Sequence, residues 1–260
     1  MRHLNKITTH VYKNVLVTVS KTSEAKAQIW FIHGFGDSGK TYSEVFGSKL
    51  VQDYDLYVVD MPGFGSSPYN SSITSIKDQA DLLGEIIQEA SELPVIIIAH
   101  SIGGLVGTWL CQLLENKVKY YFNIEGNLTE ADSYFSSKPL SYDTSEAFAI
   151  DFAHEIFNQA ITEERFKRYY ASVLWATPQA MHNWATSSQP FVKNNLCGQE
   201  FKQLDCPKVY IWGDKDTPQE TQQFIRQNHL SNEYFEGIGH WHMHENPAFY
   251  EYIQRVIEES

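Results

Sequence analysis

Short apolar runs, each bounded by turn-forming residues and separated by stretches with helical spacing, decide what class of fold this chain can adopt. They are Ile29-Trp30-Phe31-Ile32, Leu56-Tyr57-Val58-Val59, Val95-Ile96-Ile97-Ile98, Tyr120-Tyr121-Phe122-Asn123-Ile124 and Val209-Tyr210-Ile211-Trp212. Runs of this length without polar alternation suit strands covered on both faces, which occur in parallel sheets with helical crossovers. Helical spacing runs through Ile76 to Glu92, Ile102 to Leu114, Glu220 to His229 and Pro247 to Ile257, and a last strand is expected at Asn232 to Phe235. His10 to Ser20 alternates like an edge hairpin strand. The expected fold is α/β: a mostly parallel central sheet with helices on both faces.

One interval breaks the rhythm. The stretch from Ile124 to Val209 is far longer than a crossover helix needs. Within it Ser145 to Gln159, Thr162 to Trp175 and Pro178 to Thr186 look helical, and Phe148, Phe152, Phe157, Phe166, Tyr169, Tyr170, Trp175 and Trp184 crowd the segment. A helical cap (residues 128–200) inserted between the sixth and seventh strands is expected, over a core made of 1–127 and 201–260. Most of these aromatics have a plain role, because a small helical lid must bury its inner face.

A formal charge of −12 argues against nucleic acid or an anionic membrane surface as partner, since both would repel a net acidic surface. Small neutral substrates are unaffected. No apolar run has the length of a signal peptide core or a membrane span, so a soluble cytoplasmic protein is expected. Cys111, Cys197 and Cys206 are odd in number and widely spaced, which predicts reduced thiols in or near the core rather than a disulfide framework or zinc site. His240, His242 and His244 alternate like a metal-binding run but have no evident carboxylate or thiolate set beside them, so no metal is expected.

A serine hydroxyl is a weak nucleophile until a base takes its proton, and the arrangement that exposes one is a strained strand-to-helix turn with small neighbours. Ser101, in Ala99-His100-Ser101-Ile102-Gly103-Gly104, follows an apolar strand and opens an apolar helix. It departs from the G-x-S-x-G pattern only in carrying Ala99 at the first glycine position. His240, in Gly237-Ile238-Gly239-His240, is the candidate base, and Asp216, in Gly213-Asp214-Lys215-Asp216, the favoured acid. Glu125 follows the preceding strand and is the alternative acid; Asp214 is the weaker neighbour. The backbone N–H groups of Phe35 and Ile102 are candidates for an oxyanion hole. A phosphate-cradling loop is disfavoured, because neither GxGxxG nor GxxxxGK[ST] is present.

These motifs, with His33-Gly34-Phe35-Gly36 and Asp60-Met61-Pro62-Gly63-Phe64-Gly65-Ser66-Ser67, resemble those of the capped α/β-hydrolases from about Ile29 onward. The resemblance implies a serine hydrolase without cofactor, acting on a small or medium carboxylic ester with an apolar part, and a structural turn at Asp60 to Ser67. Relatives that dehalogenate alkanes or open epoxides use an aspartate nucleophile, where this chain has Ser101, and the dehalogenase-like Trp after it is replaced by Ile102. Carbon–carbon bond cleavage and thioester hydrolysis would use the same residues, and a ligand-binding receptor without turnover is the alternative of another class.

Overall fold

The computed structural model describes residues 6–260. The chain opens on a hairpin, β1 (Ile7–Tyr12) and β2 (Val15–Ser20), followed by β3 (Gln28–Ile32), the short helix α1 (Leu50–Asp53), β4 (Asp55–Asp60), α2 (Ile76–Ala90), β5 (Val95–His100), α3 (Gly103–Leu114) and β6 (Val118–Ile124). Four helices intervene: α4 (Ser145–Thr162), α5 (Arg165–Val173), α6 (Pro178–Val192) and α7 (Leu196–Gln203). Then come β7 (Lys208–Gly213), α8 (Gln219–Gln227), β8 (Asn232–Phe235), α9 (His242–Glu245) and α10 (Phe249–Glu259).

The strands form one sheet in the order β1-β2-β4-β3-β5-β6-β7-β8. The first two pairings are antiparallel and the rest parallel. Every residue of β3 and β5 is buried, as their unbroken apolar runs require. The alternating His10 to Ser20 segment is two strands rather than one, reversed at Lys13 and Asn14, whose φ values of 49° and 67° suit a tight hairpin turn. Ser75 caps α2 by accepting from Asp78 N while Asp78 returns the bond to Ser75 N. Helix α6 runs on to Val192 through Pro190, beyond the expected Thr186, because Val192 and Ser188 on that last stretch are buried.

Register decides where functional side chains gather. Ile32, Ala99, Asn123 and Tyr210 pair in one row across β3, β5, β6 and β7. The residues just past that row therefore all emerge at the carboxyl edge of the sheet, the place where open α/β sheets bind ligands. The inserted helices pack over this edge. Trp184 of α6 is fully buried, lies 4.6 Å from the ring of Phe64 and donates from Nε1 to Gln79 Oε1 at 3.1 Å. Phe148 and Phe152 of α4 approach Phe35 at 6.2 and 5.9 Å between ring centroids. Helix α7 crosses residue 200 and turns Phe201 onto Tyr121 and Tyr210 of the sheet.

Candidate active site

Ser101 sits between β5 and α3 with φ of 55°, the left-handed region that costs a non-glycine residue energy and that a nucleophile elbow demands. The turn is pinned by Ser101 N donating to Ile124 O at 2.9 Å and Gly104 N donating to Ser101 O at 2.8 Å. Two glycines let neighbouring segments close on it. A Cβ at Gly34 would stand 2.7 Å from Ser101 Cβ, and one at Gly107 would stand 2.9 Å from Ala99 Cβ. The bare backbone of Gly107 thus makes room for the methyl group of Ala99.

Ser101 and His240 line one cleft together with Phe35, His100, Tyr169 and Trp241. Its free volume is about 10 Å³, at the margin of what one water needs. Helix α5 closes it. Tyr169 Oη donates to Phe35 O at 2.8 Å, Ser172 and Ser38 hydroxyls lie 3.1 Å apart, and Arg165 pairs with Asp216. One face of one short helix therefore touches both the early loop and the loop after β7. Beside the cleft, and sharing Asp37 with it, a cavity of about 460 Å³ is lined by Lys40, Thr41, Arg168 and Trp175 among others.

His240 is held from several sides. Its backbone N–H donates to Asp216 Oδ2 at 2.7 Å, its carbonyl accepts from His100 Nε2 at 3.0 Å, and its Nδ1 lies 3.0 Å from Tyr134 Oη. Burial pushes its pKa down to about 4, against the attraction of Asp216, so the ring is neutral near pH 7. With the proton on Nδ1 facing Tyr134, the Nε2 lone pair is left free to accept. Tyr134 stays protonated, since burial and the nearby Glu125 and Asp216 raise its pKa well above the phenol range.

The two carboxylates occupy different surroundings. Asp216 accepts from both ends of the Arg165 guanidinium, at 3.3 Å for the Nη2 contact, as well as from the His240 amide. Glu125, at φ 46°, is buried, accepts from Gly213 N at 2.7 Å and has the Thr217 hydroxyl 2.7 and 2.8 Å from its two oxygens. Its further neighbour is His242 Nε2 at 3.4 Å, not His240. Burial raises Glu125 to about 8 even though the Thr217 and Gly213 bonds oppose it. Glu125 ties the end of β6 to the loop that carries Asp216. His242 is drawn to this cluster while His244 stacks against Trp241, so the alternating histidines diverge.

The Phe35 and Ile102 amides belong to the segments flanking Ser101, and neither donates to a protein acceptor among the described residues. Ile102 is the N-cap of α3, where the helix dipole adds positive potential. Asp60 accepts from Gly39 N and Ser66 N at 2.7 and 2.8 Å, which joins the Asp60 to Ser67 turn to the early loop. Tyr134, Arg165 and Asp37 carry no sequence signal of their own. His100 sits in the motif, yet nothing in the motif tells that its ring meets that of His240 at 4.5 Å.

An elbow serine at the carboxyl edge of a mostly parallel sheet, with a neutral histidine in its cleft, defines a protein of α/β-hydrolase type. The chain belongs to the alpha/beta hydrolase family, whose model matches residues 31–251. A Mycoplasma pneumoniae protein classed as an esterase/lipase is 20% identical over 241 residues, covering 88% of each chain. "Probable lysophospholipase BODYGUARD 4" of Arabidopsis thaliana is 33% identical over 99 residues, which is 37% of this chain and 24% of that protein's length. Among solved structures, a mutant of N-acyl homoserine lactonase AidH complexed with N-hexanoyl homoserine superposes with a TM-score of 0.75 at 16% identity, over 98% of this chain and 97% of the other. No helix among the described residues is long and apolar enough to cross a membrane.

Proposed function

We propose that this protein is a serine hydrolase that cleaves a small or medium carboxylic ester with an apolar part through an acyl-serine intermediate. The observation that carries the reading is Ser101 in the left-handed elbow, in the same cleft as the neutral His240 ring. His240 Nε2 takes the Ser101 proton as Oγ attacks the ester carbonyl, and the tetrahedral oxyanion is met by the Phe35 and Ile102 amides. The imidazolium then protonates the leaving alcohol. Water enters by the same route in reverse and releases the acid.

Asp216 serves as the acid that stabilises the imidazolium, and Tyr134 holds Nδ1 while the inserted helices are closed over the cleft. The inserted helices act as a lid, lined by Phe135, Tyr169 and neighbouring aromatics that suit an apolar acyl group. The cavity beside Asp37 offers room for the rest of a small molecule once α5 shifts. The esterase and lipase names among the relatives support ester chemistry over other bonds.

Treatment with a fluorophosphonate probe, followed by an ester panel of graded chain length, tests the reading. Labelling of Ser101, lost in Ser101→Ala, together with ester turnover is the expected result. A folded protein that does not label at Ser101 overturns the hydrolase reading in favour of a binding protein. Turnover of vinylogous diketones with little ester hydrolysis points instead to carbon–carbon bond cleavage.

A further inference from the structure

We propose that Cys111 and Cys206 are a redox modification site, joined by an intramolecular disulfide when the protein meets a hydroperoxide. The two thiols come from distant parts of the chain. Cys111 lies in α3, and Cys206 in the loop between α7 and β7. Both are free, both line one solvent-open cleft of about 610 Å³, and each thiol is the other's electrostatic neighbour there. The cleft lies at the amino edge of the sheet, where β7 begins, and so on the opposite edge from Ser101.

Their surroundings divide the labour. Cys111 is buried within α3, whereas Cys206 is half-buried on the short loop before β7. The neighbouring Cys111 thiol holds the Cys206 thiol below its ordinary value, with Lys208 acting in the same direction, while burial pushes Cys111 up. A partly exposed thiol of lowered pKa beside a second, resolving thiol is the arrangement that oxidises reversibly. The third thiol, Cys197, is buried and pushed up to about 12, so it is an internal control.

In the first step the Cys206 thiolate attacks a peroxide oxygen, the O–O bond breaks, and the departing hydroxide or alkoxide takes a proton, leaving Cys206 as sulfenic acid. Cys111 then attacks that sulfur, losing its proton, and water leaves as the S–S bond forms. Two thiols are oxidised by two electrons and the peroxide is reduced by two. The new bond would close a loop containing all of α4 to α7, so it staples the base of the inserted helices.

The test is stoichiometric hydrogen peroxide on the folded chain, then alkylation, intact mass and peptide mapping. Free thiols should fall from three to one. The mass should drop by about 2 Da, with a Cys111–Cys206 peptide pair, an unchanged Cys197, reversal by dithiothreitol and a raised Tm. In Cys111→Ser the Cys206 sulfenic acid should persist and be trapped by dimedone, and in Cys206→Ser the remaining thiols should stay reduced. Overturning results are a cross-link between chains, consumption of Cys197 at the same rate, over-oxidation of Cys206 without a cross-link in the unaltered chain, or no thiol loss. Should either variant misfold, the mass and peptide map of the unaltered chain decide alone.

Discussion

Tyr134 Oη lies 3.0 Å from His240 Nδ1, the ring nitrogen opposite the one proposed to take the Ser101 proton. A phenol from the inserted segment, rather than a carboxylate from the core, meets the imidazole in this closed arrangement. The Asp216 carboxylate meets the same residue through its backbone N–H at 2.7 Å. The geometry links the position of the insertion to the orientation of the candidate base.

Removing the phenol oxygen should loosen that orientation. Tyr134→Phe is expected to lower kcat for a simple ester by about tenfold, the worth of one lost hydrogen bond of roughly 1 to 1.5 kcal/mol, with little change in KM. Steady-state kinetics check this. Unchanged kcat would mean that Asp216 alone orients the ring.

The two carboxylates should separate cleanly on substitution. Asp216→Asn is expected to cut kcat by about 10³-fold, because an imidazolium formed without a stabilising anion is costly. Glu125→Gln keeps the shape of a protonated acid and should leave most of the activity. The reverse ranking would assign the role to Glu125.

Activity should be flat across neutral pH and fail only in acid. His240 must be neutral to accept a proton, and its pKa is pushed down to about 4 by burial. The kcat/KM profile of the free enzyme is therefore expected to fall with a midpoint near 4 rather than near the ordinary 6.5. A midpoint above 6 would show a solvated ring.

Glu125 gives a stability prediction of opposite sign. Its folded pKa, raised by burial to about 8, exceeds the ordinary 4.5, so the folded state holds the proton more tightly than the unfolded one. Its contribution is fully present below about pH 4.5 and is lost as pH rises through about 8. Glu125→Gln should flatten that part of the stability profile in urea titrations at successive pH values. A variant with the same slope as the unaltered chain would refute the assignment.

Trp184 is the test of how firmly the insertion is docked. Trp184→Ala leaves a cavity where a fully buried indole met Phe64 and orphans Gln79 Oε1. A loss of about 3 to 5 kcal/mol, or a Tm lower by about 10 °C, is expected in thermal melts. A drop below about 1 kcal/mol would mean that the helices rest only loosely on the sheet.

Local chemistry alone settled a good deal. Unbroken apolar runs such as Val95 to Ile98 can only be covered strands, and a serine between such a strand and a glycine-led helix has few conformations open to it. Parallel strands of similar length then bring their carboxyl ends to one edge, so His33 to Phe35, Ser101, Glu125 and Asp216 were bound to gather there. The N-terminal hairpin was legible too, but the place of its turn at Lys13 and Asn14 was not, because period-two alternation runs through it.

What only the tertiary structure decided is which groups meet within that edge. The sequence favours Asp216 as the acid but leaves Glu125 as an alternative, and in the fold Glu125 faces Thr217 and His242 while Asp216 pairs with Arg165 and the His240 amide. Tyr134, Arg165 and Tyr169 reach the site from an insertion whose sequence shows only helical spacing and aromatic content. Hydrogen-bond partners and desolvation are set by distances of a few ångströms between segments far apart in the chain, and periodicity along one segment carries no record of them.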